Sequence, residues 1–377
     1  MNKLVSFMLL FFFITGSFAT VCSSVSAEET AENSWNTKNP MRQPRTSLGV
    51  IAVDGKIYAI GGSIVTDIVH REVVGTNECY DPVTNTWITL APMPTPRSNF
   101  AITAYQGKIY CIDDRLTEVY DIATDSWSTK AAMRFEGGRL YAHTVDGKIF
   151  VLNTNDFRLY MYDPVVDSWT EKTSIPASIA TRAYVIVSTV LDDKIMVIGP
   201  FYIRNSNGWT AMENKVVVYD PKLDVWTEIY SAPATDEMFF YDVAAGVTTG
   251  LYAPKKLYIF QETETIVYDP INNTWHTAES MPTARRQFGV AVVDDVLYVI
   301  GGHTTRYEVD PDLSPIPVLR TEDSSVNEQY VPMGYQGTLP SDTQTPLNNA
   351  IIIAVAVILT VSIVATVGLF VYFKKRR

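Results

Sequence analysis

The chain has 377 residues, with 41 acidic against 30 basic side chains, a formal net charge of −11, and apolar residues making up 47% of the composition. That length suits either two or three average domains or one large all-β array, so internal repeats decide between them. The acid excess disfavours nucleic acid and anionic headgroups as ligands, and three cysteines are too few to staple a chain of this size.

The N-terminus carries Lys3, an apolar run from Leu4 to Ile14, then small and polar residues ending Val25-Ser26-Ala27 before Glu28-Glu29. A charged head, a short apolar core and an Ala-x-Ala-like end predict a secretory leader, residues 1–27, removed after Ala27. The run is far short of the roughly 20 residues that span a bilayer. Val21 before Cys22, where a small residue is wanted, argues against a lipoprotein anchor.

Beyond the leader the sequence repeats. Trp35, Trp87, Trp127, Trp169, Trp226 and Trp275 are spaced by 52, 40, 42, 57 and 49 residues, and all but Trp35 follow a Tyr-Asp pair whose Tyr lies seven residues earlier. The intervening stretches, such as Asp81-Pro82-Val83-Thr84-Asn85, hold the Pro and Asn that pre-set turn dihedrals, predicting a hairpin. Upstream of each Tyr-Asp lies a second hairpin: an apolar strand, an Asp-Gly-Lys-like turn and another apolar strand. The clearest copies are Gly49 to Gly62 and Gly289 to Gly302. Each unit therefore holds four short antiparallel strands, one propeller blade.

The double glycine, the Tyr-Asp-Pro and the Trp together resemble the kelch repeat, over about 300 residues. The resemblance implies an all-β, six-bladed kelch propeller over residues 28–332, of the membrane-anchored type found in prokaryotes, particularly archaea. Four copies depart from the double glycine, with Asp113-Asp114, Asn153-Thr154, Gly199-Pro200 and Gln261-Glu262 in its place, so irregular corners are expected there. Asn327-Glu328-Gln329-Tyr330-Val331-Pro332 echoes Asn77-Glu78-Cys79-Tyr80-Asp81-Pro82, which puts the third strand of the last blade near Val326 to Val331; Arg306 to Asp310 is the competing choice. Either way the strand around Trp35 completes that blade from the N-terminus and closes the ring.

Residues 333–349 are polar and aperiodic and predict a flexible stalk. Residues 350–373 are 24 residues without a charge, about 36 Å as a helix, which predicts a transmembrane helix. Lys374-Lys375-Arg376-Arg377 follow, a basic cytoplasmic tail that leaves the propeller outside the cell membrane. With one basic residue in the leader and four in the tail, the outside portion has 25 basic residues against 41 acidic, a net −16. Cys79 and Cys111 fall in different repeats and are not expected to pair.

For function, the four histidines, His70, His143, His276 and His303, are scattered without metal-ligand spacing, and no nucleophile elbow or phosphate loop is present, so neither metal nor cofactor is expected. An arginine does recur. Arg45, Arg97 and Arg285 each stand ten residues before a first-hairpin turn, with Met41, Met93 and Met281 four residues earlier; Arg139 and Arg182 lie nearby but off that register. In kelch proteins that bind acidic peptides the matching loops open on one face around the channel, so these side chains are candidate ligand contacts, suited to a carboxylate. The alternative is that each pairs with a neighbouring blade's acid and merely holds the ring. Trp209, off the repeat period and close to Asn205 to Gly208, is a further candidate, and Asn272-Asn273-Thr274 fits a glycan acceptor although turn chemistry already calls for those residues. The reading favours a cell-surface module binding a protein, peptide or glycan; the alternatives are a carbohydrate-active enzyme such as a sugar epimerase or mutarotase, and a surface scaffold.

Overall fold

The computed structural model describes residues 31–67, 70–133, 137–179, 182–183, 187–204, 210–229, 242–308 and 318–340. The expected leader (1–27), the end of the stalk (341–349), the transmembrane helix and the basic tail lie outside these residues, as does Trp209. Among the described residues no helix is long and apolar enough to cross a membrane.

The described strands form six antiparallel sheets arranged as blades. Blade 1 runs Gly49–Val53, Lys56–Ile60, Asn77–Asp81 and Thr86–Leu90, in that order from the inside outward, and blade 2 runs Ala101–Tyr105, Lys108–Ile112, Thr117–Asp121 and Ser126–Lys130. Blade 3 is Leu140–Val145, Lys148–Asn153, Leu159–Asp163 and Ser168–Lys172. Blade 5 is Ala244–Val247, Leu257–Gln261, Glu264–Asp269 and Thr274–Thr277. Blade 4 is enlarged: Val187–Leu191 pairs with the eleven-residue Lys194–Arg204, which pairs with Thr210–Asp220 and then Val225–Ile229, while Arg182–Ala183 adds to the far end of Lys194–Arg204. Blade 6 is Gly289–Val293, Val296–Ile300 and Asn327–Val331, completed by Ser34–Lys38. The third strand is therefore the segment that echoes blade 1, and the competing segment instead forms a separate hairpin, His303–Glu308 with Val318–Asp323. Innermost strands of neighbouring blades touch all the way round, from blade 1 through blade 6 and back to blade 1, which makes the assembly a closed ring.

The Tyr-to-Trp spacing has a direct cause. Within each outer hairpin Tyr and Trp face one another across the ladder, as Tyr80 does Trp87 and Tyr162 does Trp169, with ring centroids 5.0 and 4.9 Å apart. Five residues after each Tyr stands an Asn or Asp in the left-handed region, Asn85 at φ 53° and Asp125 at 47° among them, where these side chains are tolerated because they bond locally. That side chain serves the seam between blades. Asp125 Oδ1 accepts the Tyr120 hydroxyl at 2.6 Å and the Ala91 N–H of the preceding blade at 2.8 Å, while the Trp127 indole N–H donates to the Ala91 carbonyl at 2.8 Å. Among the described residues the Trp half of the latch recurs at Trp169, Trp226, Trp35 and Trp87. The core is correspondingly divided into six apolar clusters, each between two neighbouring blades, so burial rather than disulfides holds the ring. Cys79 and Cys111 are free and buried.

Strand direction defines two faces. The short turns between first and second strands and between third and fourth strands lie on one, the turn face. The opposite mouth face carries the loops that enter each blade and the connections between second and third strands. Double glycines occur at this mouth-face corner in blades 1 and 6 because the next entering loop comes too close for a side chain: a Cβ on Gly61 would lie 2.6 Å from the Arg97 carbonyl oxygen. In blade 2 the glycine-free corner is turned by Asp113, whose Oδ1 accepts the N–H groups of Arg115 and Leu116, both at 2.8 Å. Both ends of the described propeller sit on the turn face, where Gly334 N–H donates to Glu32. The first residues of the segment expected to be a flexible stalk are packed on the ring: Tyr335 is buried in the cluster between blades 6 and 1, Leu339 packs against that cluster, and Gln336 N–H donates to the Tyr252 carbonyl.

Candidate binding site at the mouth of the central channel

The three in-register arginines lie inside the blades. Arg45 and Arg285 are 0% and 1% exposed and Arg97 is 7% exposed. Each spreads its guanidinium over its own blade: Arg45 bonds Glu78 at 2.7 Å and the carbonyls of Gly61, Thr76 and Ala59, and Arg285 matches it with Glu328 at 2.7 Å and the carbonyls of Gly301, Val326 and Val299. Arg97 pairs with Glu118 at 2.8 Å and Asp113 at 3.1 Å. The Met four residues earlier packs its sulfur 3.2–3.7 Å from the same nitrogen. Burial depresses the Arg45 and Arg285 pKa values while the paired glutamates oppose that shift, so the charge persists because it is matched. The acid belongs to the blade the loop enters, not to a neighbouring one.

The partner glutamates were legible in the sequence. Glu stands two residues before the Tyr only in Asn77-Glu78-Cys79-Tyr80, Thr117-Glu118-Val119-Tyr120 and Asn327-Glu328-Gln329-Tyr330, the three blades with the arginine; the register puts Tyr160, Val217 and Ile266 there in blades 3, 4 and 5. The second carboxylate oxygen ties down the entering loop, accepting Arg42 N–H in blade 1 and the Thr95 and Thr283 hydroxyls in blades 2 and 6. The arginines thus fix the loops whose next residues reach the axis.

Those next residues form the rim. Two positions after each clasp arginine stand Ser47, Asn99 and Gln287, and register puts Arg139 and Asp242 at the same place in blades 3 and 5. Ser47, Asn99, Asp242 and Gln287 are all left-handed, with φ between 42° and 55°. The turn points their backbones at one another: Asn99 N–H donates to the Ser47 carbonyl at 3.0 Å and Ser47 N–H to the Gln287 carbonyl at 2.9 Å. Arg139 and Asp242 meet at 3.4 Å with the arginine side chain 39% exposed, so of the sequence-derived arginines this one stands at the opening. For Arg182 the strand position is described, in Arg182–Ala183 on the raised edge of blade 4, but not its side chain.

Below the rim is a cavity of about 220 Å³ walled by the innermost strands, including Val50, Ile102, Tyr141, Ala245 and Val290. Its polar feature is His143, whose Nε2 is 2.7 Å from the Ser188 hydroxyl; burial pushes the imidazole pKa down to about 4, so the ring is neutral near pH 7. A base that weak is poorly matched to proton abstraction at neutral pH. Among the described residues no group of His, Cys, Asp and Glu has metal-binding geometry.

Hairpins from blades 1 and 6 rise beside the rim and lock together. Asp323, from the blade 6 hairpin, accepts Val65 N–H at 2.5 Å and Arg71 at 3.0 Å from the blade 1 hairpin, and His303 Nδ1 lies 3.1 Å from the Thr46 hydroxyl. On the other side, Gly199 to Arg204 paired with Thr210 to Lys215 extends blade 4 above the ring. The result is a polar, charged opening between two walls, above a small cavity lined by both polar and apolar groups.

Comparison with known proteins agrees with this architecture. The Kelch motif matches residues 44–94, which is blade 1 with its entering loop. Relatives include kelch repeat and BTB domain-containing protein 8 of Danio rerio, 25% identical over 59% of this chain and 40% of that protein, and an F-box/kelch-repeat protein of Arabidopsis thaliana, 27% identical over 55% of this chain and 50% of that protein. The influenza virus NS1A-binding protein homolog of Mus musculus is 39% identical over 20% of this chain and 11% of that protein. The chain thus spans half or less of the length of these relatives. Among solved structures it is similar in fold to YjhT, with a TM-score of 0.53 at 14% identity, covering 75% of this chain and 99% of the other.

Proposed function

We propose that this chain, a kelch propeller by its repeats, its motif match and its six blades, is a binding module displayed outside a cell membrane, and that its mouth face recognises a protein or peptide. The observation carrying the reading is the rim: a ring of polar side chains flanked by the raised hairpins of blades 1, 4 and 6, with Arg139 and Asp242 loosely paired at its opening. At 3.4 Å this pair is wider than a tight charge-assisted contact, so a ligand carboxylate can take the arginine or a ligand cation the aspartate at little cost. The relatives support a protein partner: one is named for binding a viral protein. Display outside the membrane rests on the leader and on the uncharged residues 350–373 followed by four basic ones.

The test is a peptide, protein and glycan array probed with the full chain in mild detergent, beside Arg139→Ala and Asp242→Asn. Loss of a bound peptide or protein signal by at least about tenfold in either variant supports the reading, a change of roughly 1.4 kcal/mol. Binding retained in both variants removes the rim from the site. The 220 Å³ cavity favours a second reading, a small-solute site serving sugar chemistry. Capture of monosaccharides with no peptide or protein signal would favour it.

A further inference from the structure

Eight of the eleven large apolar side chains exposed on the described residues lie on the turn face. They occupy the tips of turns rather than one groove: Val83 in blade 1, Val165 in blade 3, Leu223 in blade 4 and Ile271 in blade 5 are 62–85% exposed, and Met333 follows the last strand of blade 6. Each tip is aimed by its own backbone. The N–H groups of Val83, Val165 and Ile271 bond the aspartate two residues earlier at 2.9–3.0 Å, and Leu223 bonds the one three residues earlier at 3.3 Å, which fixes the turn and leaves the side chain facing out.

Isolated exposed apolar residues are ordinary, but tips on blades 1, 3, 4, 5 and 6, all on a single face, are not scatter. A protein partner needs a contiguous patch with a dry centre, whereas separate tips on a flat ring suit a fluid surface that closes around each one. The chain itself points to that surface. It leaves the ring on this face, held there by Tyr335, and only nine residues, 341–349, separate Pro340 from the uncharged stretch 350–373. Nine residues span at most about 30 Å, so whatever that stretch enters is kept within reach of the turn face. Such a short tether makes the second contact effectively intramolecular, so even weak tips are populated.

Charge does not compete for the assignment. The lysines of this face are paired within it, Lys56 with Asp81, Lys148 with Asp163 and Lys194 with Asp220, and its many other aspartates leave it without a cationic patch. Attraction must therefore be apolar, and anionic lipid is not required.

Resting on the reading that residues 350–373 anchor the chain, we infer that the turn face lies against the lipid bilayer, with the tips of Val83, Val165, Leu223 and Ile271 in the headgroup layer and the mouth facing outward. The test uses the full chain in phosphatidylcholine liposomes, with an environment-sensitive dye on Leu223→Cys or Ile271→Cys, and on Arg115→Cys at the mouth face, where the native side chain is 88% exposed. Buried Cys79 and Cys111 make the unsubstituted chain the labelling blank. Spin-labelled lipid should quench the dye at 223 and 271 severalfold more than at 115, and salt at about 0.5 M should not change this. A Val83→Asp, Val165→Asp double variant, altered only at exposed turn tips, should weaken quenching at 271 while remaining anchored. Equal or absent quenching at all three sites in protein that resists alkaline extraction would overturn the face assignment and leave the anchor standing. Release by alkaline extraction would overturn the anchor instead. Stronger quenching at 115, crosslinking of position 271 to a protein rather than to lipid in native membranes, or a glycan on Asn272 would each exclude the contact.

Discussion

Tyr330 donates its hydroxyl to Asn33 at 2.7 Å across 297 residues of sequence, and so rebuilds from the two ends of the chain the latch that every other blade makes within one hairpin. Asn33 also accepts Glu279 N–H from blade 5, and Trp35 donates to the Glu279 carbonyl. Ring closure is thus the same chemistry as an ordinary seam, with the covalent link moved elsewhere.

Removing that strand should open the ring. Deletion of residues 31–38 exposes the Asn327–Val331 edge, so the unfolding midpoint should fall and light scattering should rise on concentration, because an unpaired edge recruits other chains. Asn33→Ala should cost about 1–2 kcal/mol in denaturant unfolding, the net worth of two hydrogen bonds. A variant as stable as the parent would show that closure does not depend on the latch.

The buried clasps predict strong non-additivity. Arg45→Met or Glu78→Leu alone leaves a buried charge unmatched and should cost about 3–5 kcal/mol, while the double variant should recover most of it. Blades 3 to 5 already hold Tyr160, Val217 and Ile266 where blade 1 has Glu78. Additive losses in a double-mutant cycle by urea unfolding would contradict this account.

At the rim the reverse holds. Arg139→Ala and Asp242→Asn should each change stability by no more than about 1 kcal/mol, since the pair is partly exposed and loosely made. Calorimetric unfolding checks this independently of any ligand, and a larger loss would make the pair a structural clasp instead.

His143 should give the fold a pH dependence above the range where carboxylates titrate. Its folded pKa, about 4, lies below the ordinary 6.5, so the unfolded chain binds the extra proton first. The stability it contributes is complete above pH 6.5, declines as pH falls through that value, and is lost by about pH 4. Because the ring borders a cavity, the loss should be on the order of 1–2 kcal/mol rather than the full shift. His143→Gln should flatten that part of the stability curve; an unchanged slope would place the dependence elsewhere.

Cys79 and Cys111 should resist modification in the native state. Burial raises the Cys79 pKa and pushes the Cys111 thiol up to about 12, so little thiolate exists at neutral pH. Alkylation should follow global unfolding, and rapid labelling of native protein would show the seam between blades 1 and 2 to be open.

Local chemistry dictated much of this molecule. Tyr and Trp seven residues apart, Asp-Gly-Lys turns and apolar runs specify hairpins, and hairpins with two apolar faces can only be buried by stacking, so blades and their number were written in the chain. The echo of Asn77 to Pro82 in Asn327 to Pro332 pointed to the third strand of the last blade, with Arg306 to Asp310 as the competing choice. What an arginine does was not local. Arg45 and Arg97 share one register and are buried beside Glu78 and Glu118, whereas Arg139 stands two places later in its blade and faces the channel opposite Asp242, because a side chain's environment is set by how the sheets pack. The rim residues Ser47, Asn99, Asp242 and Gln287 are far apart along the chain and share one left-handed turn, and only closure of the ring brings them together.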